Sequence, residues 1–124
     1  MMAALSGGLL VWHTLQKQQT GAIGTAEAVR LINRERAVLI DVCEPAEFAA
    51  GHAAGARNIP LGSLEGAREL PTNKTLPVVV MCASGARAGR AAGLLRKAGH
   101  QQAVAVNGGL GAWREAGLPI EKSA

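Results

Sequence analysis

The sequence predicts an α/β domain in which a parallel sheet is covered by helices on both faces. Three observations carry this expectation: short apolar runs bounded by turn residues, segments of helical spacing that alternate with them, and 16 glycines against only three aromatic residues, Trp12, Phe48 and Trp113. Short runs that are apolar throughout suit strands buried on both faces, and helices between them join consecutive strands in parallel. With so few rings the core must be aliphatic. A chain of 124 residues, 48% of them hydrophobic, is the size of one domain and can bury such a core.

The regular pattern starts near Gly21, so the chain divides into an apolar N-terminal segment, residues 1–20, and a domain over residues 21–124. Thr25 is placed to cap a first helix, with Glu27 in its first turn and Ala28, Leu31 and Ile32 at helical spacing. Ala37 to Asp41 (AVLID) reads as a buried parallel strand, and Pro45 starts a short helix over Pro45 to Ala50 that Gly51 ends. Ala56 to Ile59 is a weaker strand, and Leu61 to Leu70 a helix stopped by Pro71. Val78 to Met81 is the clearest strand. The clearest helix follows it, with Ala91, Leu94, Leu95 and Ala98 on one face, Arg96 and Lys97 in its last turn and Gly99 at its end. Gly89 and Gly93 are expected to let this helix pack closely on its neighbours. Ala103 to Val106 gives another strand, and Asn107-Gly108-Gly109 turns into a last helix around Trp113, ended by Gly117 and Pro119.

Met1 to Leu15 (MMAALSGGLLVWHTL) is shorter than the roughly 20 residues of a membrane-spanning helix and has no basic residue before it. Two readings stay open: a truncated or surface membrane anchor, for which Trp12 and Lys17 suit an interfacial boundary, and a helix that packs on the domain or a second copy. The formal charge of +4 comes from 13 basic residues interleaved with acids, without an arginine run or an aromatic strip. Nucleic acid is therefore not expected as a partner; a small anion is. Cys43 and Cys82 show neither metal-ligand spacing nor the density of a secreted disulfide framework, so a reducing, cytoplasmic setting is expected, with no metal. His13 and His100 have no sequence neighbours that suggest a metal site, and no cofactor is called for.

The chemistry points to Cys82. In an open parallel α/β sheet ligands bind beyond the carboxyl ends of the strands, and Cys82 follows the best strand. Ala83, Ser84, Gly85 and Ala86 are small, so the backbone can curl around the sulfur and aim N–H groups at it, while the positive end of the next helix favours the thiolate. Arg87 and Arg90 lie in the first turn of that helix, where cations oppose the macrodipole. Two guanidinium groups there make sense when an anion occupies the space between them and Cys82. The bland alternative is an inert buried thiol with two solvated arginines.

Four motifs in order give the domain a resemblance to a family. Leu39-Ile40-Asp41-Val42 with Glu44, Glu47 and Phe48, then Gly51-His52-Ala53-Ala54-Gly55-Ala56-Arg57-Asn58-Ile59-Pro60, then Cys82-Ala83-Ser84-Gly85-Ala86-Arg87, then Asn107-Gly108-Gly109 with Trp113, resemble the motifs of the single-domain rhodaneses. The resemblance covers about Gly21 to Ile120. It implies a rhodanese-like fold with a central five-stranded parallel sheet, and a sulfurtransferase that carries sulfur as a Cys82 persulfide. The donor implied is thiosulfate or a similar sulfane-sulfur compound, and the acceptor a cellular thiol or a protein cysteine, with cyanide as the assay acceptor. Arg87 is then assigned to loop shape and anion attraction, Ser84 to a hydrogen bond on the persulfide, and Arg90 to a rim contact.

Two other functions share this architecture. Related phosphatases and arsenate reductases place one more residue between cysteine and arginine than the four found here, and no acid is evident to protonate a leaving alcohol. A noncatalytic or redox-sensing docking module is the other reading. Cys43 stands where the family usually has arginine, which opens a second reading for it, a disulfide or sulfur relay with Cys82, beside that of a small buried hydrophobe. Asp41 is expected to be a structural acceptor, His52 a turn or packing residue, and Phe48 and Trp113 core anchors.

Overall fold

The computed structural model describes residues 21–123. The N-terminal segment, with its reading as anchor or packing helix, lies outside the described residues. Among those residues no helix is long and apolar enough to cross a membrane.

In chain order the elements are β1 (Ala22–Ile23), α1 (Thr25–Arg34), β2 (Val38–Asp41), α2 (Pro45–Ala50), β3 (His52–Ala53), β4 (Arg57–Asn58), a 3-10 turn (Leu61–Ser63), β5 (Val78–Met81), α3 (Ala86–Lys97), β6 (Ala103–Val106), α4 (Gly109–Glu115) and β7 (Ile120–Glu121). Five of the strands form one parallel sheet in the order β1-β6-β5-β2-β4, so the β5 strand that precedes Cys82 is central. The remaining pair, β3 and β7, is antiparallel and ties the C-terminus to the segment after α2.

Alternation along β5 divides the core into two layers. Val78 and Val80 face one side with Ile40, Val42 and Cys82, under the Ala88, Ala91, Ala92 and Leu95 stripe of α3 and Leu64. Val79 and Met81 face the other with Leu39 and Val106, under Ala28 of α1 and Trp113 of α4. All four β5 side chains are fully buried. At about 1.5–3 kcal/mol for each large side chain removed from water, this strand anchors the sheet. The alanines of α3 let its backbone lie close to β5 and β6.

Several expectations need correction. Thr25 is the first residue of α1, and Gly24 holds the cap position without a side-chain bond. Leu61 to Leu70 is no helix: one 3-10 turn is followed by loops and turns, with Gly66 at φ 71°. Gly62 and Gly66 weaken the helical alternative, and the leucines bury against the sheet layer without needing one. Leu94 does not share the buried face of α3, being 48% exposed, and Ala98 is exposed with it. Gly89 is exposed and a Cβ there would meet nothing, while one at Gly93 would meet only the Arg96 guanidinium, at 3.8 Å. Close packing of α3 therefore rests on its alanines. Gly99 does end α3, in the left-handed region at φ 107°, with the His100 N–H donating to the Leu95 carbonyl and the Gly99 N–H to Arg96.

Since Gly89 has a helical place and free space, replacing it by alanine removes only backbone freedom from the unfolded chain. Gly89→Ala is expected to raise stability by about 0.5–1 kcal/mol. Urea denaturation of the two proteins side by side checks this.

Candidate active site

Cys82 follows the last residue of β5 and is only 1% exposed. The Gly85 N–H donates to its Sγ at 2.9 Å and the Ala88 N–H at 3.3 Å. This cradle depends on Gly85, whose φ of 108° lies where a side chain is strained, and a Cβ there would approach the Gly108 nitrogen to 3.3 Å. The first N–H groups of a helix have no carbonyl one turn back to accept them, so at the start of α3 the sulfur takes the place of that acceptor. The cradle expected around the thiol is present.

The outer side of the loop is held by the start of α4. Leu110 N–H donates to the Cys82 carbonyl at 2.8 Å and Gly111 N–H to the Ala83 carbonyl at 3.4 Å. Gly108 and Gly109 both have positive φ, 74° and 54°. A Cβ on Gly109 would collide with the Cys82 carbonyl oxygen and lie 2.9 Å from that of Ala83. The glycine pair was noted in the sequence as a turn; its role as the clamp on the cysteine loop was missed, because it rests on contacts between segments more than twenty residues apart.

Arg87 does not point at an empty anion site. Its guanidinium grips the Glu47 carboxylate with two bonds, Nη1 to Oε1 at 2.7 Å and Nη2 to Oε2 at 3.0 Å. Glu47 is held from its other side as well. It closes a capping box at the start of α2, accepting the Glu44 N–H at 3.0 Å, while Glu44 accepts from the Glu47 backbone. The Arg87 fork, and then the Glu44 N–H, hold the Glu47 carboxyl down to about 2. Sequence reasoning placed Glu47 in a motif without seeing this partnership across 40 positions. Arg90 is exposed and makes no ion pair among the described residues, and Ser84 and Ala86 are exposed on the loop.

Cys43 is buried on the same side of the sheet as Cys82, and both thiols are free. The Asp41 carboxylate accepts the Cys43 N–H at 2.8 Å, and the Asn58 amide donates to the Asp41 and Cys43 carbonyls at 3.1 and 2.9 Å. Asp41 is thus a buried acceptor that shapes the β2 exit. Burial first, and then the Asp41 carboxylate, push the Cys43 thiol up to about 12, so it stays protonated at neutral pH. His52 is buried with its ring stacked on Phe48, centroids 3.7 Å apart, and its Nδ1 2.7 Å from the Phe48 carbonyl oxygen. The buried Trp113 donates its indole N–H to the Pro119 carbonyl at 2.9 Å. Among the described residues, no cluster of His, Cys, Asp and Glu is placed to hold a metal. A hollow of about 420 Å³ between Leu61, Leu70 and Leu94 contains none of the loop residues.

Fold and site together define a parallel α/β domain with one buried cysteine cradled at the end of its central strand. The chain belongs to the rhodanese-like family: the model of the Rhodanese-like domain matches residues 25–116. It is 47% identical over 79 residues to the uncharacterized protein YqhL of Bacillus subtilis, covering 63% of this chain and 61% of that one. The chain therefore spans about three-fifths of that relative's length. A protein named sulfurtransferase from Allochromatium vinosum is 35% identical over 92 residues, 73% of this chain and 84% of its own. The structure of the human single-domain sulfurtransferase TSTD1 superposes with a TM-score of 0.69 at 29% identity, covering 77% of this chain and 96% of that one.

Two outcomes test the site's construction. Gly109→Ala is expected to cost about 2 kcal/mol or more by forcing the clamp open. Gly111→Ala, where the residue is helical and a Cβ meets nothing, should not destabilise and, like Gly89→Ala, should raise stability slightly in the same urea titration. Because the unfolded chain loses the Cys43 proton near pH 9 while the folded chain holds it up to about 12, proton loss from the unfolded state favours unfolding as pH rises over this range, and the wild type should lose more stability there than Cys43→Ala.

Proposed function

We propose that this protein is a sulfurtransferase that carries a sulfane sulfur as a persulfide on Cys82. The observation that carries the reading is the convergence of the Gly85 and Ala88 N–H groups on a single buried sulfur. Fixed donors of this kind stabilise negative charge on sulfur without reorganising during the reaction. The first turn of α3 holds two further N–H groups, those of Ala86 and Arg87, besides the two on the sulfur. The loop thus suits both a thiolate and a persulfide.

The reaction is a double displacement. The Cys82 thiolate attacks the outer sulfur of a donor such as thiosulfate, the donor's S–S bond breaks, and sulfite or another leaving group departs with the electron pair. A thiol or a protein cysteine then attacks the carried sulfur and releases the Cys82 thiolate. Arg87 acts through loop shape, tied by Glu47 to the start of α2, and Ser84 is the hydroxyl nearest in sequence to the carried sulfur. A phosphatase or arsenate reductase would need the arginine free to grip the oxyanion, and here Glu47 occupies it. A role for Cys43 as sulfur relay is opposed by its burial and the raised thiol, which stays protonated at neutral pH.

Incubation with excess thiosulfate, or with an organic persulfide, is expected to add about 32 Da to the intact protein, one sulfur atom, and nothing to Cys82→Ser. Mass spectrometry without reducing agent reads the result. A wild type that gains no sulfur from either donor would overturn the proposal.

A further inference from the structure

Two arginines at a helix start suggest a cationic mouth, and the structure removes much of that charge. Arg87 is bound through both terminal nitrogens to Glu47, and Glu47 is ionised and pinned from behind by the Glu44 N–H. Ala83, Ser84, Gly85 and Ala86 add no charge. The start of α2, a second positive helix end on the same rim, is closed by the Glu44 side chain. Along the segments that leave β2 and β5, the acidic Glu44 and Glu47 stand against Arg87 and Arg90. Although the chain carries a formal +4, the guanidinium of the cysteine loop itself, Arg87, is taken up by an ion pair.

We propose that Glu47 sets the donor class of this site: by neutralising Arg87 it disfavours dianionic thiosulfate and favours organic persulfides, R–S–SH, whose reacting sulfur carries no fixed charge. The inference rests on the persulfide chemistry of Cys82 proposed above. In the favoured step the Cys82 thiolate forms a bond to the outer sulfur, the R–S–S bond breaks, and R–S⁻ leaves with the electron pair. The proton stays on the transferred sulfur, giving Cys82–S–SH, and no oxidant or reductant is consumed. Thiosulfate would instead bring a sulfonate to a loop whose own guanidinium, Arg87, is already paired with Glu47. Glu47 is a specificity-determining residue in this scheme and touches no reacting atom.

The test compares kcat/KM for cysteine persulfide and for thiosulfate in the wild type and in Glu47→Gln, at low and high ionic strength. Glutamine keeps the capping-box acceptor and removes the charge. The wild type should prefer the persulfide by about tenfold, equivalent to about 1.4 kcal/mol, with little salt dependence for either donor. Glu47→Gln should raise the thiosulfate value several-fold at low salt, lose that gain at high salt, and leave the persulfide value within about twofold. A wild type that uses thiosulfate as well as the persulfide would overturn the inference, as would a variant that changes both donors by one factor. Should the variant fail to fold, a thiosulfate rate in the wild type that falls steeply with salt would overturn it equally. Failure of the underlying chemistry looks different, since then Cys82 gains sulfur from neither donor.

Discussion

The hold that α4 keeps on the cysteine loop is the constraint on which the site depends. A loop that aims N–H groups inward at a sulfur must aim carbonyls elsewhere, and a buried carbonyl without a donor is costly. The Cys82 and Ala83 carbonyls are taken by the N–H groups of Leu110 and Gly111, which are themselves orphan donors at the start of a helix. Two helix starts are thereby satisfied at once: α3 spends N–H groups on the sulfur, and α4 spends its own on the back of the same loop. Only glycine at position 109 lets the two backbones come this close.

The sheet explains why this loop sits where it does. β5 lies between β2 and β6, and its fully buried side chains fix the height at which Cys82 emerges. Beside it, the β2 exit is shaped by polar bonds. Val42 N–H pairs with the Met81 carbonyl at 2.9 Å, and Asp41 and Asn58 then turn the chain away toward α2. That turn delivers Glu47 to Arg87. The ion pair joins two half-exposed groups and adds little to stability as an isolated pair, but its two-pronged geometry and the capping box give it direction.

Much of this architecture was legible from local pattern. Val78 to Met81 and Ala103 to Val106 are bounded as read, as is the helix from Pro45 to Ala50, because an apolar run between turns or a proline at a helix start is a local signal. The two-residue strands β1, β3 and β7 were not seen, since two residues carry no periodicity and exist only through their partners. Leu61 to Leu70 failed for the opposite reason: its leucines repeat at near-helical intervals, yet the same burial is reached by turns around Gly62 and Gly66. Cys82 was legible as the candidate nucleophile because strand, glycine loop and helix follow one another in sequence. The partner of Arg87 was not, because ion pairing between distant segments leaves no local trace.

That missing partner changes what a cationic helix start means. A guanidinium in the first turn of α3 opposes the macrodipole, so sequence alone argues for an external anion to offset it. The fold offers an internal one. Glu47 lies in the first turn of α2, where a carboxylate is favoured by that helix's own dipole, and there it also meets Arg87. The carboxylate thus offsets the α2 end directly and, by pairing with Arg87, relieves the guanidinium's conflict with the α3 end. The Cys82 sulfur is then left to the backbone N–H groups of Gly85 and Ala88, and the side chain of Arg87 is turned to Glu47 instead.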